Sequence, residues 1–177
     1  MRFQRATQKH LDAIMNITNE AKAQLKRMEI DQWQKGYPSK EVWEEDLKQE
    51  RAYIALDEST DVVMGAFSFF TSQDPSYKQI DGAWLTGDSI EDGSYASLHR
   101  VCVAENYKGQ GVVGRMFDFA FDLTRSFGIT SVRIDTHPDN KPMMRSLSKA
   151  GFVECGFIRL VGGVEDGNIR IAFEKVL

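Results

Sequence analysis

The period of the hydrophobic positions changes several times along the chain, and each change predicts an element. Arg2-Phe3-Gln4-Arg5-Ala6 alternates weakly, as an edge strand does. Leu11, Ile14, Met15, Thr18, Ala21, Leu25 and Met28 then share one face of a helix over about 8–29, a face suited to packing on a core. The stretch from Gln32 to Pro38 reads as a loop closed by proline. Ser39 suits the N-cap of a short acidic helix that carries Val42, Trp43 and Leu47 to about Gln49. Two strand-like runs over 52–56 and 62–70 flank Asp57-Glu58-Ser59-Thr60-Asp61, a hairpin with Gly65 as its candidate bulge. Residues 71–94 are polar and punctuated by Pro75, Gly82, Gly87 and Gly93, which predicts a long excursion. Structureless loops of that length in compact domains tend to be functional or mobile.

The stretch over 98–127 carries the most information. A short run containing Val101 and Val103 favours a buried strand. Glu105-Asn106-Tyr107-Lys108 breaks it, and Gly109, Gly111 and Gly114 follow. Arg115, Asp118, Asp122 and Arg125 then mark the solvent face of a helix whose other positions are mostly apolar or small. A strand that feeds a glycine-rich turn into a helix presents free backbone N–H groups backed by the positive end of the helix dipole. That terminus suits an anion, phosphate above all. Further strands are expected over 131–135, 153–161 and 168–175, the last two as a terminal hairpin around Gly162-Gly163-Val164-Glu165-Asp166-Gly167. Periodicity alone therefore gives a mixed sheet with helices; the length makes one domain, 1–177, the expectation, and no repeat or linker is seen.

Which phosphate ligand is meant can be narrowed. Gly109-Gln110-Gly111-Val112-Val113-Gly114 spells the G-x-G-x-x-G of a dinucleotide-binding turn, and Asp135 lies at a suitable distance for a ribose hydroxyl. That fold needs its first glycine directly at the strand end and begins with this unit. Here Ala104 to Lys108 intervene and the unit falls in the second half of the chain, so a dinucleotide protein is only a remote alternative. No Gly-Lys-Ser/Thr follows, which removes the P-loop. A turn that merely needs glycine backbone angles is the structural alternative.

Composition bounds the function further. The chain is 42% hydrophobic and has no stretch near the ~18 apolar residues of a membrane span. The N-terminus lacks the apolar region of a signal peptide, and only Cys102 and Cys155 occur, both in apolar runs. Buried free thiols in a reducing cytoplasm are expected, with no disulfide and no metal site. A net charge of −4 leaves no footprint for nucleic acid and is mildly compatible with a cationic amine substrate.

Two linked motifs make the phosphate reading specific. Tyr107-Lys108-Gly109-Gln110-Gly111-Val112-Val113 resembles the acetyl-CoA-binding motif of the GNAT superfamily of N-acetyltransferases, Arg/Gln-x-x-Gly-x-Gly/Ala at the start of a long helix. Lys108 stands where Arg or Gln is usual, keeping donor and charge. Val113 replaces a glycine or alanine, with Gly114 one place later. Asn140-Lys141-Pro142-Met143-Met144-Arg145-Ser146-Leu147-Ser148-Lys149-Ala150-Gly151-Phe152 resembles the family's Asn-x-x-Ala…Tyr-x-Lys-x-Gly-Phe block. The resemblance covers about 98–156 closely and the rest loosely. It implies a mixed, mostly antiparallel α/β sheet of six to seven strands, splayed between the fourth and fifth and flanked by about four helices.

It also implies an acetyl-CoA-dependent transfer of acetyl to a primary amine. Val101, Cys102 and Val103 would bind the cofactor arm through main chain. Lys108, Gly109, Gln110, Gly111, Val112, Val113 and Gly114 would hold the pyrophosphate, and Asn140 the arm, unless Asn140 is simply a helix N-cap ahead of Pro142. On an alternating strand Ser97, His99, Val101 and Val103 share a face, which makes His99 a candidate base. His137 is another candidate, and a water chain to a carboxylate such as Glu105 a third. The family's acidic tyrosine aligns with Leu147, so departing thiolate must leave unaided or take its proton from water, Ser146, Ser148 or a tyrosine elsewhere. Trp33, Tyr37, Tyr77 and Trp84 stand in polar loops and are candidates to line the acceptor pocket, or else to anchor those loops. A CoA-binding module without turnover is the alternative from another class. The acceptor, a small-molecule amine or another amino group, and the oligomeric state, a homodimer included, stay open.

Overall fold

The computed structural model describes residues 1–87 and 94–177. Its elements run β1 (Arg2–Arg5), α1 (Leu11–Arg27), α2 (Lys40–Lys48), β2 (Ala52–Leu56), β3 (Val63–Phe70), β4 (Ile80–Gly82) and β5 (Ala96–Val103). There follow α3 (Val112–Ser126), β6 (Ser131–Thr136), α4 (Lys141–Lys149), β7 (Val153–Arg159) and β8 (Ile169–Val176). The strands form one eight-stranded sheet in the order β1-β2-β3-β5-β6-β8-β7-β4. The β5–β6 ladder is parallel, whereas β1–β2, β2–β3, β6–β8, β7–β8 and β4–β7 are antiparallel.

The expected count of six to seven strands is corrected by β4, which lies inside the long excursion. Ile80, Asp81 and Gly82 pair with Ile158, Phe157 and Gly156 of β7. Three residues with an aspartate and a glycine carry no strand pattern of their own, and the partner's free edge supplies the order. Of the excursion's punctuation, Gly93 lies outside the described residues.

The helices start and stop where local chemistry directs. A 3-10 turn over Gln8–His10 precedes α1, and the Thr7 N–H donates to His10 Nδ1 at 2.9 Å. The buried stripe of α1 is Leu11, Ile14, Ile17, Thr18 and Leu25; Ile17 joins the expected face, while Met28 at the C-cap is exposed. Ser39 caps α2 as expected, its Oγ accepting from the Val42 N–H at 3.4 Å.

The chain forms two compact units, one of Met1–Phe69 with His99–Phe119, the other of Phe70–Leu98 with Ala120–Leu177. In the first, β2 is buried on both faces. Ala52, Ile54 and Leu56 pack with Ile14, Ile17, Trp33, Trp43 and Cys102. On the other face Tyr53 meets Phe67 at 5.6 Å and Phe119 at 5.8 Å, and Phe119 stacks on Phe3 at 4.8 Å. The expected bulge falls beside Gly65: Ala55 pairs with Gly65 and Leu56 with Val63, leaving Met64 as the extra residue. A Cβ at Gly65 would stand 2.9 Å from both the Cys102 carbonyl oxygen and Met116 Sδ, so only glycine admits this approach.

In the second unit Tyr77, Trp84, Tyr95, Cys155, Ile158 and Ala172 form the core. The Arg133 guanidinium lies 4.2 Å from both the Trp84 and Tyr95 ring centroids and 3.1 Å from Glu174 Oε1. Burial pushes the Glu174 carboxyl upward, but bonds from Ser131 and Thr86 and the charge of Arg133 outweigh that and hold it below its ordinary value. Cys102 and Cys155 are buried free thiols, as expected. Burial raises the Cys102 thiol to about 12, which keeps it protonated.

Candidate functional site

The turn between β5 and α3 carries left-handed glycines at a helix start, a geometry suited to an anion. The Ala104 N–H donates to the Met64 carbonyl at 2.9 Å, and Glu105–Tyr107 makes one 3-10 turn. Gly109 and Gly111 follow with φ of +75° and +77°, backbone that side chains rarely adopt. A Cβ on Gly109, Gly111 or Gly114 would meet nothing within 4 Å, so the space before the turn is open. The Arg115 N–H reaches the Gly111 carbonyl at 3.2 Å. Amides ahead of it lie in the first turn, where no carbonyl stands one turn back within the helix. Val112 is buried and fixes the helix start, while Val113 and Gly114 are half-buried. Left-handed glycines, open space and a positive helix end together fit a diphosphate group.

Two side chains of the turn are engaged within it. Lys108 Nζ lies 2.6 Å from Glu105 Oε2, and Gln110 Nε2 donates to the Asn106 carbonyl at 2.8 Å. The bond and charge of Lys108 hold the Glu105 carboxyl below its ordinary value, which makes Glu105 a poorer proton acceptor. The Glu105 N–H is bound to Glu20 Oε2 at 2.8 Å.

Along β5 one expectation is corrected. Alternation was to place Ser97, His99, Val101 and Val103 on a single face, but Arg100 has φ +56° in the middle of the strand. A left-handed residue interrupts the two-residue repeat, so that face does not run unbroken. His99 and Val101 are half-buried, and Cys102 and Val103 buried. The described ladder from β5 to β6 consists of two rungs, Ala96↔Val132 and Ser97↔Arg133.

In the second unit His137 is half-buried, and its Nδ1 accepts from the Asp139 N–H at 3.1 Å. Asn140 Oδ1 accepts from the Met143 N–H at 3.3 Å, the N-cap role foreseen for it. Leu147 is fully buried, so the position that aligns with the family's tyrosine holds no hydroxyl. Ser146 Oγ bonds the Pro142 carbonyl at 3.0 Å, and Ser148 is exposed. The Thr136 hydroxyl, at the end of β6, is buried without a hydrogen-bond partner among the described residues.

The four loop aromatics are more enclosed than polar surroundings suggested. Trp33 packs in the first core, whereas Tyr77 and Trp84 belong to the second. Tyr37 is half-buried, its hydroxyl accepting from Arg100 NH1 at 2.6 Å.

The sequence offers Asp135 only as a ribose ligand, and the structure gives it other surroundings. Tyr77 Oη donates to its Oδ2 at 2.9 Å. Protein surrounds the carboxyl while leaving it partly accessible, and this burial, assisted by Asp74 and Glu165 against Tyr77 and Arg170, raises it to about 6. The signal available was a polar stripe, Ser131, Arg133 and Asp135, on one face of a central strand.

Comparison with known proteins identifies the family and the fold. The family model described as Acetyltransferase (GNAT) family matches residues 22–152. An acetyltransferase of the GNAT family from Streptococcus agalactiae is 24% identical, with a TM-score of 0.86 over 99% of this chain and 95% of that one. A ribosomal-protein-alanine N-acetyltransferase from Brucella melitensis is 18% identical, with a TM-score of 0.72 over 100% of both chains. The protein yncA from Salmonella typhimurium, solved with its cofactor acetyl-CoA, is 17% identical, with a TM-score of 0.68 over 100% of this chain and 94% of that one. A search of curated proteins finds no match. The chain belongs to the GNAT family of acetyltransferases. No described helix is long and apolar enough to cross a membrane, and no group of three or more metal-ligating side chains occurs among the described residues.

Proposed function

We propose that the protein is an N-acetyltransferase that moves the acetyl group of acetyl-CoA directly to a primary amine. The observation that carries this reading is the open, left-handed glycine turn at the start of α3 in a chain of this family. Acetyl-CoA is the co-substrate, and when bound it supplies a thioester carbonyl activated toward an amine.

The chain's own groups then divide the work. Backbone N–H groups from Gly109 to Gly114, including those of Gln110, Val112 and Val113, grip the diphosphate, and Lys108 adds positive charge beside it. Main-chain groups of Val101, Cys102 and Val103 hold the cofactor arm, with a backbone amide of that segment polarising the acyl carbonyl. Losing a donor of this kind typically costs ~10²–10³ in rate. Asn140 orients the arm while capping α4. An alkylammonium near pKa ~10.4 has to surrender a proton before attack. His99 and His137 are candidate acceptors through imidazole. Asp135, at about 6, is a third, because burial makes it a stronger base than an ordinary aspartate. Leu147 supplies no acid, and a thiol of pKa ~8.5 can depart without one. Of the four loop aromatics proposed for the acceptor pocket, Tyr37 is half-buried and keeps accessible surface, while Trp33, Tyr77 and Trp84 are buried.

Release of thiol from acetyl-CoA across a panel of primary amines tests the proposal. Amine-dependent release, with acetylated product seen by mass spectrometry, is the expected result. Tight CoA binding with no release on any amine would instead mark a binding module, the alternative that Leu147 favours.

A further inference from the structure

Arg100 is the least comfortable residue of β5. It adopts φ +56° in the middle of a strand, a conformation disfavoured for a residue with a Cβ. It is also fixed from several directions within the first unit. Nε and NH2 lie 2.8 and 2.5 Å from Asp46 Oδ2 on α2. Nε also reaches Ser68 Oγ on β3 at 3.1 Å, and the Ser68 hydroxyl donates to Asp46 Oδ2 at 2.5 Å. NH1 donates to Tyr37 Oη at 2.6 Å, while the rings of Tyr37 and Trp43 both lie 5.9 Å from the guanidinium carbon.

Stability does not account for this arrangement. Withdrawing two charges from water costs about what their attraction returns, so apolar side chains would serve a core equally well. Backbone strain persists only where surrounding contacts over-determine it, and it gathers at functional sites. Here the strain falls between His99 and Val101, in the segment assigned to the acyl donor. A left-handed residue turns the peptide planes on either side of it out of the regular ladder, which sets where the neighbouring amides point.

Building on the acetyl-transfer reading, we propose that Arg100, clamped by Asp46, Ser68 and Tyr37, is a positioning residue that aims the main chain of β5 at the acyl carbonyl. Its partner Tyr37 links that aim to the 32–38 loop, where the acceptor pocket is proposed. Arg100 itself does not touch the reacting atoms.

Arg100→Gly keeps the left-handed backbone accessible and removes the tether, whereas Tyr37→Phe removes one hydrogen bond at a half-buried site and is expected to fold. Both are measured for kcat and KM in acetyl-CoA thiol release, with the amine that wild type uses best, and for CoA affinity by calorimetry. Arg100→Gly is expected to lose roughly 10- to 100-fold in kcat, because small misplacements at a reacting centre cost that much. Its CoA Kd should stay within about twofold, since the phosphate turn is untouched. Tyr37→Phe should raise the amine KM or lower kcat by about threefold or more. Wild-type kcat in Arg100→Gly, unchanged kinetics in Tyr37→Phe, or a fall in CoA affinity matching the fall in kcat would each overturn the assignment. Absence of turnover by wild type on every amine would instead overturn acetyl transfer itself, and this inference with it.

Discussion

Gly111 combines a φ of +77° with open space in front of it, so substitution there separates backbone need from ligand need. Gly111→Ala should cost about 1 kcal/mol of stability through the left-handed conformation alone. Gly111→Glu adds a carboxylate where a diphosphate is proposed, and like charges brought together cost several kcal/mol. Calorimetry should therefore show CoA affinity falling about 100-fold or more in the glutamate variant and much less in the alanine one. Asp135 offers a test in pH. Its folded value, about 6, lies above the ordinary 3.8, so the folded state holds the proton more tightly than the unfolded chain does. Stability consequently falls as pH rises from about 4 through about 6, and the full penalty stands at pH 7. Asp135→Asn removes the charge and leaves an oxygen for Tyr77 to bond. The variant should be more stable than wild type at pH 7, by on the order of 1–3 kcal/mol, and show no advantage at pH 4 in denaturant titrations. If Asp135 is the proton acceptor, kcat falls in the same variant and the acidic limb of the pH–rate profile near 6 disappears.

At the scale of elements, α4 carries two residues whose roles can be separated. Asn140 caps the helix, and capping needs only a short side-chain acceptor. Asn140→Ser should hold stability within about 0.5 kcal/mol while weakening CoA binding, whereas Asn140→Ala loses about 1 kcal/mol as well. Equal CoA affinity in wild type and the serine variant would leave Asn140 a cap alone. Leu147, about two turns further on, is fully enclosed, so Leu147→Tyr overfills its site. Thermal unfolding should show a loss of about 1–3 kcal/mol, with no gain in kcat. Sequence reading served these elements unevenly. Ser39, Asn140 and the glycine turn were legible because capping and left-handed turns are settled within a few residues. β4 was not, since Ile80-Asp81-Gly82 becomes a strand only on the edge of β7. Nor was the kink at Arg100, which exists because Asp46, Ser68 and Tyr37, remote in sequence, converge on one guanidinium.

For the whole molecule, ligand-linked stability is the discriminating measurement. A ligand bound only by the folded state stabilises by RT ln(1 + [L]/Kd), about 2.7 kcal/mol at a hundredfold excess over Kd. CoA and acetyl-CoA are expected to raise the unfolding temperature and NAD to leave it unchanged, because the glycine turn follows a five-residue break rather than a strand end. Stabilisation by NAD alone would reverse that choice.

Amphipathic periods, cap residues and the two motifs on either side of β6 were enough to predict most strands, the helices and the glycine turn, all of them features set by neighbours in sequence. The eighth strand, the interrupted face of β5, the enclosure of Trp33, Tyr77 and Trp84, and the raised carboxyl of Asp135 came only with the tertiary structure. Each depends on what distant segments place around a residue, since desolvation, edge pairing and over-determined strain have no local signature.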